Sequence, residues 1–67
     1  MTVFVNDEPK ELTEDASLGE LTKLLGLAET KGRAFALNNV IIPKIKLDQT
    51  RLNEGDHILI IQATQGG

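Results

Sequence analysis

The sequence predicts an α+β domain: a mixed sheet of about four to five strands, one main helix packed on one face, and a flexible C-terminal tail. Three observations carry this. Short alternating or wholly apolar segments, each bounded by Asn, Asp, Gly or Pro, recur along the chain and read as strands. One segment, Leu18 to Leu25, repeats its leucines at helical spacing behind a capping signal. The last five residues, Ala63-Thr64-Gln65-Gly66-Gly67, carry no charge and no large side chain.

Met1 to Asn6 reads as a strand with Val3 and Val5 on one face and Phe4 on the other. Asn6-Asp7-Glu8-Pro9 is dense in turn formers, so a hairpin is expected there. Lys10 to Thr13 is the expected return strand, with Leu12 inward and charged neighbours outward. Its short length and charge suit a sheet edge. Ser17-Leu18-Gly19-Glu20 matches the capping box, serine at the N-cap and glutamate three residues on. Leu18, Leu21, Leu24 and Leu25 then form one apolar stripe. Gly26 is placed to end the helix in a left-handed conformation, and Leu27 can fold back on the last turn. Thr30 to Arg33 reads as a polar loop around Gly32.

Ala34 to Leu37 is the third strand. Asn38-Asn39 signals a tight turn, because asparagine tolerates positive φ. Val40-Ile41-Ile42 is a short strand stopped by Pro43. Lys44 to Leu52 has weak periodicity and reads as a loop with a helical turn. Asn53-Glu54-Gly55-Asp56 is a further turn, and His57 to Gln62 is the last, strongly apolar strand. A helix across a mixed sheet in this order gives the β-grasp arrangement. The first and last strands then run parallel at the sheet centre, with residues 14–56 as ample connecting chain. The expected organisation is a β-grasp domain over 1–62 and an extended Gly-Gly tail over 63–67.

With 67 residues the chain holds one domain. A domain of this size buries only about 60% of its unfolded surface, which leaves little room for an enzyme pocket. There is no cysteine and one histidine, so neither a disulfide nor a thiolate metal site is expected. No apolar run exceeds four residues and no secretory stretch follows Met1, so a soluble, cytoplasmic protein without a membrane anchor is expected. The net charge of −3 is uneven: residues 1–29 hold seven acids against two bases, and residues 30–67 three acids against five bases. An acidic chain without a basic stripe is a poor nucleic-acid binder. The paired acids Asp7-Glu8, Glu14-Asp15 and Glu54-Asp56 all fall in turns or near element ends, where solvation accounts for them.

Two features point to function. Gly66-Gly67 has no Cβ on either residue, so the tail can pass through a slot that any side chain would block. Fully extended, residues 63–67 reach about 17 Å, at roughly 3.3 Å per residue, far enough to put a terminal carboxylate inside another protein's active site. The second feature is His57-Ile58-Leu59-Ile60-Ile61, which is apolar on both faces. If Ile58 and Ile60 face the helix with Val3 and Val5, then Leu59 and Ile61 point the other way, joined by Phe4. A single helix leaves that face uncovered, so Phe4, Leu59 and Ile61 are the expected docking residues. The competing possibility is that the Lys44 to Leu52 loop, or a second copy, covers them.

Four stretches carry a family resemblance: Ala36-Leu37-Asn38, Ile41-Ile42-Pro43-Lys44, Gly55-Asp56-His57-Ile58, and Gln62-Ala63-Thr64-Gln65-Gly66-Gly67. With these the chain resembles, over essentially its full length, the ThiS family of small sulfur carriers in thiamin thiazole synthesis, within the ubiquitin-like β-grasp group. Members often carry a tryptophan a few residues after the proline; here that position is Leu47. The resemblance implies a non-catalytic carrier. A ThiF-type adenylating enzyme would grip Thr64, Gln65, Gly66 and Gly67 and use ATP and magnesium to convert the Gly67 carboxylate to an acyl-adenylate. A persulfide donor would then supply sulfur, leaving a Gly67 thiocarboxylate for a ThiG-type thiazole synthase. The chain itself would bind no cofactor. Three other readings share parts of this pattern. The molybdopterin synthase small subunit has the same end but tends to be longer, and a ubiquitin-like modifier would pass the activated end to an amine. A non-covalent β-grasp binding module would not need Gly66-Gly67, and the acidic charge and missing tyrosine and tryptophan argue against an RNA-binding one.

Overall fold

The computed structural model describes residues 1–26 and 32–62. Five strands form one sheet: β1 (Thr2–Val5), β2 (Glu8–Glu11), β3 (Arg33–Leu37), β4 (Val40–Ile42) and β5 (His57–Gln62), in the spatial order β2-β1-β5-β3-β4. The helix α1 (Leu18–Leu24) crosses between the hairpin β1-β2 and strand β3 in the chain. β5 lies at the centre, parallel to β1 through Phe4↔His57 and Val5↔Ile58, and antiparallel to β3 from Leu37↔Ile58 to Arg33↔Gln62. This is the β-grasp arrangement the element order predicts.

The first hairpin differs from the sequence expectation by two residues. Asn6 and Asp7 both take positive φ, 50° and 71°, which makes a two-residue turn whose twist matches that of the strands. The return strand therefore begins at Glu8, not Lys10. Pro9 sits within it, opposite Phe4. On the outermost strand its missing N–H leaves no bond unmade. Leu12 falls just past the strand yet is buried, because its N–H donates to the Met1 carbonyl at 2.8 Å and its carbonyl accepts from the Met1 ammonium at 2.6 Å.

Asn6 has a second task. Its N–H donates to the Ile58 carbonyl at 2.9 Å, and its Oδ1 accepts from the Ile60 N–H at 2.9 Å. The side chain thus stands where the next β1 residue would have been. Asn6→Ala puts an alanine in the left-handed region and removes the acceptor, so we expect a loss of about 2 kcal/mol. Asn6→Gly loses only the acceptor and should cost about 1 kcal/mol. Urea midpoints of the two variants check this; equal midpoints would mean that the left-handed backbone adds no cost for alanine.

The capping box forms: Ser17 Oγ accepts from the Glu20 N–H at 3.1 Å, and Glu20 Oε1 accepts from the Ser17 N–H at 3.0 Å. Ser17→Ala should destabilise by about 1 kcal/mol, read as a lowered urea midpoint at constant slope; an unmoved midpoint would deny the cap its role. Leu18 and Leu21 are buried and Leu25 packs against the core, but Leu24 is 72% exposed. The reason is rotation: at 3.6 residues per turn, position 24 lies about 60° beyond position 21, off the face that 18, 21 and 25 share. Thr22 takes that face instead, its hydroxyl donating to the Gly19 carbonyl at 2.7 Å. Gly26, at φ 76°, ends the helix as expected. Leu27, Thr30 and Lys31 lie outside the described residues.

Lys44–Gln49 forms a 3-10 helix beside α1. The contact is close at Gly19, where an added Cβ would fall on Asp48 Oδ1 and come within 3.1 Å of its Cα. Backbone bonds from Leu18 to the Thr50 carbonyl (2.8 Å) and from Leu52 to the Ala16 carbonyl (3.0 Å) strap this segment to the helix. Leu47 is buried in the core with Leu52, Phe35, Val3, Val5 and Ile58. The whole 44–52 segment therefore sits on the helical side of the sheet and leaves the other side open.

Candidate functional site

The open side is built by strand alternation. Along β5 the even positions face the core: Ile58 is buried and Ile60 packs against the core cluster. His57, Leu59 and Ile61 therefore share the opposite face, with Leu59 49% and Ile61 42% exposed. Phe4 reaches this face from β1 and stacks on His57, ring centroids 4.9 Å apart and planes 16° apart. The three expected docking residues thus share one face of the neighbouring strands β1 and β5, with Phe4 beside His57. His57 opens its strand at the surface, as the sequence predicts, and also serves as the platform for Phe4.

Across the sheet the neighbours of Leu59 and Ile61 are Ala36 and Ala34. Their small side chains leave the two β5 residues standing above the surface. Beyond Ala36, at its register partner, is Ile41 of β4, 57% exposed on the same face. Sequence reasoning did not place Ile41 on this face. A three-residue apolar strand does not reveal which residue faces inward; the pairing of β4 with β3 reveals it. Two asparagine turns frame this face. Asn6-Asp7 and Asn38-Asn39 flank a shallow cleft floored by His57, Ile58 and Leu59. Asn38 holds its turn to β5: its Oδ1 accepts from the His57 N–H at 3.0 Å and its Nδ2 donates to Asp56 Oδ1 at 3.1 Å. Asp56 Oδ2 accepts in turn from the Asn53 N–H at 2.7 Å. The apolar face therefore sits on a frame fixed by short, local bonds.

Among the described residues, no group of three or more His, Cys, Asp or Glu side chains is placed to hold a metal ion. Every buried side-chain nitrogen or oxygen among them has a hydrogen-bond partner. No helix among them is long and apolar enough to cross a membrane. What these residues offer is an exposed apolar face, with β5 running across it to Gln62. The tail residues Thr64, Gln65, Gly66 and Gly67 lie outside the described residues.

A five-stranded mixed sheet with one main helix, and a bare apolar face along the central strand, defines a small ubiquitin-like β-grasp domain. Comparison with known proteins narrows this further. The profile of the ThiS family matches residues 3–67, and the chain belongs to that family. It is 30% identical over 67 residues to the sulfur carrier protein ThiS of Escherichia coli (strain K12), covering all of both chains. The crystal structure of the thiamine biosynthesis protein ThiS from Geobacter metallireducens superposes with a TM-score of 0.85 at 25% identity, again over the full length of both chains. A solution structure of a thiamine biosynthesis protein from the same organism gives a TM-score of 0.78 at 25% identity, over all of this chain and 88% of the other.

Proposed function

We propose that this chain is a sulfur carrier of thiamin biosynthesis whose working group is the Gly67 carboxylate. The observation that carries the reading is the family match over residues 3–67, which extends through Gly66-Gly67. The full-length relative that bears the name sulfur carrier supports it.

The chemistry follows from the carboxylate. Its negative charge repels nucleophiles, so it must first be activated. A Gly67 oxygen attacks the α-phosphorus of magnesium-bound ATP on a ThiF-type enzyme, and pyrophosphate leaves. The resulting mixed anhydride is neutral at the acyl carbon and has AMP as leaving group. A donor persulfide attacks that carbon and displaces AMP, giving an acyl disulfide. A thiol then reduces the S–S bond and leaves the thiocarboxylate, which delivers sulfur to a ThiG-type thiazole synthase. The chain has no cysteine, so sulfur has to be held at the terminus and brought by another protein. Phe4, Leu59 and Ile61, extended by Ile41, dock on these enzymes and aim the tail. Gly66 and Gly67 pass the entry slot because neither has a Cβ.

Intact mass tests this. The chain is mixed with a ThiF-type enzyme, Mg-ATP and a persulfide donor. The expected result is a mass rise equal to replacing one oxygen by sulfur. No rise, with an enzyme proven on its own carrier, would reject the reading.

A further inference from the structure

The sheet has two outer edges and a third, partial one. β2 is an outer edge and is blunted by Glu8, Pro9, Lys10 and Glu11. β4, the other outer edge, has only three residues and ends at Pro43. The third lies inside the sheet order. β1 pairs with β5 only through Phe4↔His57 and Val5↔Ile58, then turns away at Asn6-Asp7. β5 continues to Gln62 with β3 still beside it on the other side. Among the described residues, no strand pairs with Ile60-Ile61-Gln62 on the β1 side. This stretch carries no charge and no proline, so neither the charges of β2 nor a proline like Pro9 or Pro43 guards it.

The hydrogen-bond pattern fixes what the edge presents. On the β1 side, the Phe4 N–H donates to the Asp56 carbonyl, the Asn6 N–H to the Ile58 carbonyl, and the Ile60 N–H to Asn6 Oδ1, each at 2.9 Å. On the β3 side, the Asn38 N–H donates to the His57 carbonyl at 2.8 Å. Even-numbered residues of β5 thus direct their backbone groups towards β1, and odd-numbered ones towards β3. Asn6 already satisfies the Ile60 N–H. The next groups on that side are the Ile60 carbonyl and the Gln62 N–H, one acceptor and one donor spaced for an added strand.

We propose that this edge takes up an extended backbone segment of the protein that receives the tail, which adds beside β5 in line with the end of β1. The proposal rests on the carrier reading above. An acceptor and a donor in strand register are matched by another main chain rather than by a side chain or a small molecule. Leu59 and Ile61 stand on the open face beside the edge, so a segment with apolar side chains on that face extends the docking surface while its backbone completes the ladder. Residues 63–67 follow the edge directly in sequence, so one partner can meet both. A second copy of this chain is a poorer occupant. It would offer a ladder of three residues, too short for the roughly 1,000 Å² of a stable interface, and both copies carry a net charge of −3.

The test removes one backbone donor. Gln62→Pro deletes the edge donor, and because that N–H faces away from β3 the ladder to Arg33 is kept. Gln62→Ala, which retains the amide, is the reference. Affinities for the adenylating enzyme that converts the wild-type chain are compared by calorimetry. Amide exchange of Gln62 is followed by NMR in the free wild-type chain and in the complex. We expect Gln62→Pro to bind about 10-fold more weakly than Gln62→Ala, the loss of one backbone hydrogen bond. We also expect Gln62 exchange to be fast in the free chain and slowed at least about 10-fold in the complex. Equal affinities with unprotected Gln62 overturn the proposal. Self-association at raised concentration that Gln62→Pro abolishes overturns it in favour of a second copy. If Gln62→Pro does not fold, the exchange result decides alone. A wild-type chain that gains no sulfur mass rejects the carrier reading and this proposal with it. A wild-type chain that does gain mass, without the edge effects, rejects only this proposal.

Discussion

Deleting Gly67 should abolish the sulfur-for-oxygen mass gain and leave the domain folded. The truncated chain still ends in a glycine carboxylate, so the reacting group is chemically unchanged. It is displaced by one residue, about 3.5 Å at full extension. Reacting atoms must approach to roughly 3–3.5 Å with aligned orbitals, and a misplacement of only about 1 Å can cost 100-fold in rate. A shift of a whole residue exceeds that tolerance several times over. Stability should not move, because the core is assembled from residues between Val3 and Ile58. Intact mass after incubation with the adenylating enzyme, Mg-ATP and donor reads the chemistry, and the urea midpoint reads the fold. Conversion of the truncated chain at the wild-type rate would remove Gly67 from its assigned place.

Leu59→Asp should weaken binding to the adenylating enzyme by about 100-fold or more without unfolding the chain. In the free protein Leu59 is 49% exposed and faces Ala36, so a carboxylate there stays in water. The cost to the fold is the lower strand preference of aspartate, about 1 kcal/mol or less. In the complex the same carboxylate would be enclosed against an apolar partner surface. An unpaired charge in such a place costs about 3–5 kcal/mol, well beyond the loss of the leucine contact alone. Calorimetry or surface capture with the purified enzyme gives the affinity, and an unchanged far-ultraviolet spectrum gives the fold. Wild-type affinity in Leu59→Asp would mean that docking uses another surface. That outcome would leave the tail chemistry standing, because the Gly67 deletion tests it separately.

The elements that sequence reasoning placed well are those closed by near neighbours. The capping box needs only Ser17 and Glu20. The Asn38-Asn39 turn needs only two residues tolerant of positive φ, here 50° and 73°. The inward and outward sides of β1 and β5 follow from alternation once the chain has one helix to bury them. The misplacements have equally specific causes. Four turn formers in a row do not say which two turn, so β2 was expected at Lys10 and begins at Glu8. A short helix does not announce its rotation, so Leu24 was expected in the stripe and stands in water. In the 3-10 helix, Leu47 is buried while Ile45, two residues earlier, is 84% exposed. Nothing in the weak periodicity of that segment separates the two.

By itself, the sequence determined the caps, the turns, the strand alternation and the composition of the tail, because each depends on residues within about four positions of one another. The tertiary structure decided which side of the sheet the 44–52 segment covers, and hence that Phe4, Leu59 and Ile61 lie open. It also decided that Ile41 joins them and that β5 outruns β1. Those outcomes depend on pairings between distant residues, such as the bond from Ile60 to Asn6 across 54 positions. A local pattern shows that a strand has two faces, but only its partners in space determine which face, and which edge, meets water.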